Sequence, residues 1–175
     1  MPSRVSAVLV HGAWADGSCW SKVIPRIEDA GIRPTAVQLP LTSLPADVAT
    51  VKRALALQEG PVVLVGHSYG GVVVTEAGND PKVKALVYIA AFAPDAGESA
   101  ESLEASVPPA PIAAEVRPDA EGFLRLTREG VFDAYAQDLP EVERRVLFAV
   151  QGATNGQVFG AAVSTPAWRN RRAGT

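Results

Sequence analysis

The 175 residues carry 47% hydrophobic and 20% charged side chains, enough to bury one proper core and too few for two, so a single domain over 1–175 is expected. A formal net charge of −3 and a pI near 5.4 exclude a general attraction to nucleic acid or to an anionic membrane surface. Arg169, Arg171 and Arg172 form a small basic knot that reads as a solvated tail. The single cysteine, Cys19, permits no intrachain disulfide and points to a cytoplasmic setting, and no apolar run approaches the roughly 20 residues of a membrane-spanning helix.

Residues 5–10 are a short, β-branched-rich run closed by Gly12, which predicts a strand buried on both faces. Trp20, Val23, Ile24 and Ile27 follow at helical spacing, with Pro25 expected to bend the helix and Gly31 to cap it. A strand near 35–38 precedes a second helix whose apolar face is Leu44, Val48, Val51 and Leu55. Pro61 opens the run 62–65, which passes through Gly66-His67-Ser68-Tyr69-Gly70-Gly71 into a helix over 72–78, and 84–91 is a fourth apolar strand. This alternation predicts an α/β fold: a mostly parallel sheet with helices on both faces.

From Pro94 the texture changes to scattered prolines among small and acidic residues, with no strand-like run and helices expected over 131–138 and 141–151, the second started by Pro140. The organisation that results is a core sheet over 1–97, a helical, cap-like segment over 98–165 and a tail over 166–175.

Gly66-His67-Ser68-Tyr69-Gly70 is a G-x-S-x-G pattern set directly between a strand and a helix. A serine exposed on so sharp a turn needs small residues two positions to either side for strand and helix to approach, and Gly66 and Gly70 supply them. Ser68 is therefore the candidate nucleophile. His11-Gly12-Ala13-Trp14 closes the first strand, where such hydrolases place one oxyanion-hole donor. The backbone N–H groups of Ala13 and Tyr69 are the candidate oxyanion donors, and His11, Gly12, Gly66, His67, Gly70 and Gly71 are candidate structural members of the two motifs.

Together these motifs resemble the α/β-hydrolase superfamily. With Ser18-Cys19-Trp20, Ala90-Ala91-Phe92-Ala93-Pro94 and Gly97-Glu98-Ser99, the chain is more narrowly similar to its compact esterase and hydroxynitrile-lyase branch, over about 5–168. The resemblance implies that the segment after the fourth strand caps the site, and that Gly12, where the lyases carry a threonine, favours ester hydrolysis. It implies a nucleophile, then an acid, then a histidine in chain order. No histidine follows Ser68, and His11 and His67 both belong to the motifs; Asp95, after the fourth strand, is the nearest candidate acid.

The expectation from these residues is a chain truncated before its last strands, acid and base, hence an esterase acting on a small ester weakly or not at all. The fourth strand, over 85–91, is then an exposed apolar edge open to self-association. The alternative is a non-catalytic ligand-binding or interaction remnant of the same fold. No metal or cofactor site is evident: there is no cysteine pair, no paired histidines and no phosphate-binding Gly-rich loop.

Overall fold

The computed structural model describes residues 5–175. Strand and helix alternate through its first half as β1 (Ser6–Val10), α1 (Ile24–Asp29), β2 (Arg33–Ala36), α2 (Leu44–Ala56), β3 (Val62–Ser68), α3 (Gly70–Ala77) and β4 (Val83–Ala91). The four strands lie in the order β2-β1-β3-β4, all parallel, as strands joined by helical crossovers must. The pleat divides β1 between two cores. Val8 and Val10 pack with Val62 and Leu64 against α2 and α3, whereas Ala7 and Leu9 join Val65, Trp20 and the α1 residues Ile24 and Ile27.

Pro25 starts α1 instead of bending it, and the residues before it form a separate 3₁₀ turn, Gly17–Trp20. A proline lacks the N–H that a helix interior needs, and only the first turn has no use for one. Gly31 ends the element at φ +79°, a conformation that residues with a Cβ rarely adopt.

The segment beyond β4 contains α4 (Ala100–Glu104), β5 (Val116–Pro118), β6 (Phe123–Leu126), α5 (Arg128–Gly130), α6 (Glu141–Val150), β7 (Thr154–Asn155) and α7 (Gln157–Gly160). β5, β6 and β7 form a three-stranded antiparallel sheet, which corrects the expectation that this segment holds no strand-like run. The hairpin turns where Asp119 Oδ1 accepts the N–H groups of Glu121 and Phe123, each at 2.9 Å, and Gly122 sits at φ +81°. That turn chemistry is legible in Pro118-Asp119-Ala120-Glu121-Gly122; the strands, two to four residues long, are too short to show a period.

α5 runs on as a π-helical turn, Val131–Tyr135, which ends the helix expected over 131–138 early. The excursion leaves and returns at one place, since Gly97 N–H donates to Val163 O and Val163 N–H to Glu98 O, both at 2.9 Å.

The free edge expected along 85–91 is corrected as well. β8 (Arg172–Gly174) pairs with β4 in parallel, setting Ala85 beside Arg172, Leu86 beside Ala173 and Val87 beside Gly174. The basic knot is no free tail either: the Arg171 guanidinium donates to Asn79 O at 3.1 Å, and Arg169 pairs with Asp95 at 2.5 Å. An unpaired row of backbone donors and acceptors binds whatever extended segment is near, and Trp168, whose indole N–H donates to Pro94 O at 2.9 Å, delivers the segment there. The pairing covers only 85–87 of β4. No helix among the described residues is long and apolar enough to cross a membrane.

Candidate active site

Ser68 ends β3, and Tyr69 alone separates it from α3. Its φ is +52°, the left-handed region, which costs a residue with a Cβ about 1–2 kcal/mol. The turn closes because its neighbours have no side chains. A Cβ at Gly66 would lie 2.6 Å from Gly70 O, one at Gly70 would lie 2.5 Å from Val10 O, and one at Gly71 would strike the carbonyl of Phe92. β4 yields too: the register steps from His67–Ile89 to Ser68–Ala91 and leaves Ala90 as an extra residue at φ +42°. Beyond that bulge, Phe92 N–H donates to Ser68 O at 3.2 Å.

The loop after β1 lies against the nucleophile. A Cβ on Gly12 would meet Ser68 Cβ at 2.8 Å and Ser68 Oγ at 3.3 Å, so the site has no room for a side chain at Gly12 and Ala13 comes immediately beside the elbow. His11, 1% exposed, holds this loop. Its Nε2 accepts the N–H of Leu39 at 2.9 Å, which requires that nitrogen to be unprotonated, so Nδ1 carries the hydrogen and donates it to Gly12 O at 2.8 Å. Burial holds the imidazole below its ordinary pKa. Both nitrogens are committed, so His11 is a structural residue.

The Tyr69 ring points away from the site, fully buried, and its hydroxyl donates to Asp47 Oδ2 at 2.8 Å. The other carboxylate oxygen of Asp47 accepts Leu41 N–H at 2.9 Å. Burial raises the Asp47 carboxyl against the opposing effect of these two bonds, and raises the Tyr69 phenol. The β2–α2 loop thus anchors both halves of the site, through Leu39 to His11 and through Leu41 to Asp47 and Tyr69.

Ser68 opens into a cavity of about 340 Å³ that it shares with Cys19, His67, Ala90, Tyr135 and Leu139. His67 lies edge-on to Trp20, with ring centroids 6.4 Å apart, and burial lowers its pKa. Desolvation of its sulfur, with the charge of Asp16, pushes the Cys19 thiol up to about 12, although the residue as a whole is exposed. Asp138 is the one charged residue of this lining. Asp95 lies apart from the cavity, held below the usual carboxylate range by its bond to Arg169.

Among the aromatic residues, only Tyr135 reaches the cavity. Phe159 packs between Trp14 and Tyr69, at 5.7 and 5.9 Å, as part of the core. Sequence reasoning missed Leu139 and Asp138 as site residues and left Tyr135 unassigned among the aromatic residues available to line a pocket, because nothing local marks a side chain that reaches the site from a separate layer. Among the described residues, no group of three or more His, Cys, Asp or Glu is placed to hold a metal ion.

A model of the alpha/beta hydrolase family matches residues 7–175. The chain is 34% identical over 122 residues to a carbendazim hydrolyzing esterase of Nocardioides sp. (strain SG-4G), covering 62% of this chain and 50% of that one. It is 37% identical over 105 residues to methylesterase 7, and 35% identical over 103 residues to alpha-hydroxynitrile lyase, both of Arabidopsis thaliana; each match covers 50% of this chain and 40% of the relative. The chain thus spans half or less of the length of these curated relatives. Among solved structures, the pyrethroid hydrolase PytH with BIF superposes with a TM-score of 0.75 at 25% identity, over 91% of this chain and 72% of that one.

Proposed function

Because the chain belongs to the alpha/beta hydrolase family, we propose that it carries the nucleophile half of a carboxylesterase-type serine hydrolase acting on a small ester. The observation that supports this best is the contact between the two motifs: Gly12 abuts Ser68 so closely that a Cβ there would lie 3.3 Å from the hydroxyl oxygen. In the proposed reaction Ser68 Oγ attacks the ester carbonyl, the carbonyl electron pair moves onto oxygen, and the N–H groups of Ala13 and Tyr69 receive that charge. Tyr69 precedes α3, whose dipole favours negative charge at this end. The esterase and hydrolase names of the relatives support the same chemistry.

The serine proton needs a base, and His11 has both nitrogens committed. His67 lines the cavity with Ser68 but packs edge-on against Trp20, so neither histidine is set as the base and turnover within these residues is weak or nil. A single cysteine fits a cytoplasmic setting. The second reading, a ligand-binding remnant, is favoured by one observation: the cavity is intact while His11, which holds the loop beside the nucleophile, has both ring nitrogens committed to backbone partners.

Hydrolysis of 4-nitrophenyl acetate, with Ser68→Ala as control, and labelling by a fluorophosphonate separate the two. Labelling of Ser68 with slow, Ser68-dependent turnover is expected. A protein that Ser68→Ala leaves unchanged in both assays is a binding remnant.

A further inference from the structure

The peptide linking Ala13 to Trp14 is gripped at both ends by the segment that lies over the sheet. Its carbonyl, Ala13 O, accepts the Tyr135 hydroxyl at 3.2 Å. Its N–H, on Trp14, donates to Thr154 Oγ1 at 3.2 Å. The Trp14 indole N–H adds a third bond, to Leu124 O at 3.0 Å. Tyr135 closes the π-helical turn, and Leu124 and Thr154 are paired across β6 and β7, so three separate elements converge on one residue pair.

Trp14 has reason to need them. Its φ is +58°, a conformation that a bulky residue keeps only where its surroundings over-determine it. The preceding peptide is pinned from the sheet side, by His11 Nδ1 on Gly12 O at 2.8 Å. Ala13 therefore lies between two fixed peptide planes: its own N–H belongs to the first, which His11 holds, and the second limits how that plane can turn about the Ala13 backbone torsions.

We infer that Tyr135 and Thr154 are positioning residues which, through the Ala13–Trp14 peptide, hold the Ala13 N–H where the oxyanion forms; this rests on the hydrolase reading above. The two act by different routes. Thr154 is fully buried and outside the cavity, so it touches no ligand. Tyr135 lines the cavity with Ser68, so a ligand that packs on its ring acts on the same side chain that holds Ala13.

The test uses the full chain and four variants: Tyr135→Phe, Thr154→Val, Thr154→Ser and Ser68→Ala. Amide hydrogen exchange at residues 13 and 14 reads the grip directly. Phenylboronic acid reads its consequence: its trigonal boron bonds to the Ser68 oxygen, the hydroxyl proton leaves to solvent, and the tetrahedral anion that results needs the Ala13 N–H. Benzyl alcohol is the control of similar shape. Exchange at Trp14 about 5- to 10-fold faster in Thr154→Val, restored in Thr154→Ser, is expected from the loss of one buried hydrogen bond.

Boronate affinity should fall by a similar factor in Thr154→Val and Tyr135→Phe, with benzyl alcohol unaffected. Unchanged exchange at both positions, or boronate and alcohol weakened alike, overturns the inference. If wild type binds boronate no better than Ser68→Ala, the hydrolase reading fails instead, and the exchange rates still decide whether the cap holds the peptide.

Discussion

His11 Nε2 accepts the backbone N–H of Leu39 at 2.9 Å, and this bond ties the loop beside the nucleophile to the loop after β2. Replacing His11 with Phe keeps the ring but leaves Leu39 N–H and Gly12 O buried without a partner, at about 1–3 kcal/mol for each group. His11→Phe should therefore unfold at a clearly lower urea midpoint, with little change in slope. Stability within about 0.5 kcal/mol of wild type would show that water or another group replaces both bonds.

The same residue makes stability depend on pH. Burial lowers His11 and His67 below their ordinary 6.5; the bond to Gly12 O and the charge of Asp16 pull His11 upward, and His67 opposes charge on it. As pH falls through 6.5 the unfolded chain takes up protons that the folded chain refuses, so stability falls until the lowered folded values are reached. Asp47 acts in the opposite sense, because its raised folded value favours protonation above the unfolded 3.8. Comparing wild type with His11→Phe by urea unfolding at pH 7.5 and 5.5 cancels the contributions the two share, Asp47 and His67 among them: His11→Phe should lose less stability over that interval than wild type does. Equal losses count against the neutral, bonded imidazole.

The strained nucleophile predicts a gain in stability. Ser68→Gly removes the Cβ that makes φ +52° unfavourable, while the added freedom of glycine in the unfolded chain offsets part of the benefit. The net expectation is a stabilisation of up to about 1 kcal/mol, or 2–4 °C in melting temperature, with no fluorophosphonate labelling. A lower melting temperature would mean that the serine side chain makes a stabilising contact in the folded state.

Asp47 supplies a double-mutant test. Asp47→Leu leaves Tyr69 Oη and Leu41 N–H buried and unpaired, costing about 2–5 kcal/mol, whereas Asp47→Asn keeps an acceptor oxygen and costs less. Adding Tyr69→Phe to Asp47→Leu removes one of the two orphaned groups and should recover part of the loss. Strict additivity in chemical denaturation would argue that the bond of 2.8 Å contributes nothing.

Deleting residues 169–175 would uncover 85–87 of β4, now paired with β8. Self-association through this edge is proposed to rise in the shortened chain, seen as concentration-dependent sedimentation. Ile89, 43% exposed near the end of β4, should lessen it when changed to Lys. Identical sedimentation of the shortened and full chains would remove the edge as the cause.

The sequence by itself determined the alternation of strand and helix from 5 to 91, and which serine stands at the turn. These are local properties: apolar periods, and glycines where backbones must touch. Only the tertiary structure decided that Arg172–Gly174 joins the sheet and that three two- to four-residue segments form a second one, since such strands exist by pairing and have no period of their own. It also decided what holds Ala13 and Trp14. The two residues that grip their shared peptide lie 122 and 140 positions away, and at that separation a hydroxyl's partner is set by how layers pack, which no neighbouring residue encodes.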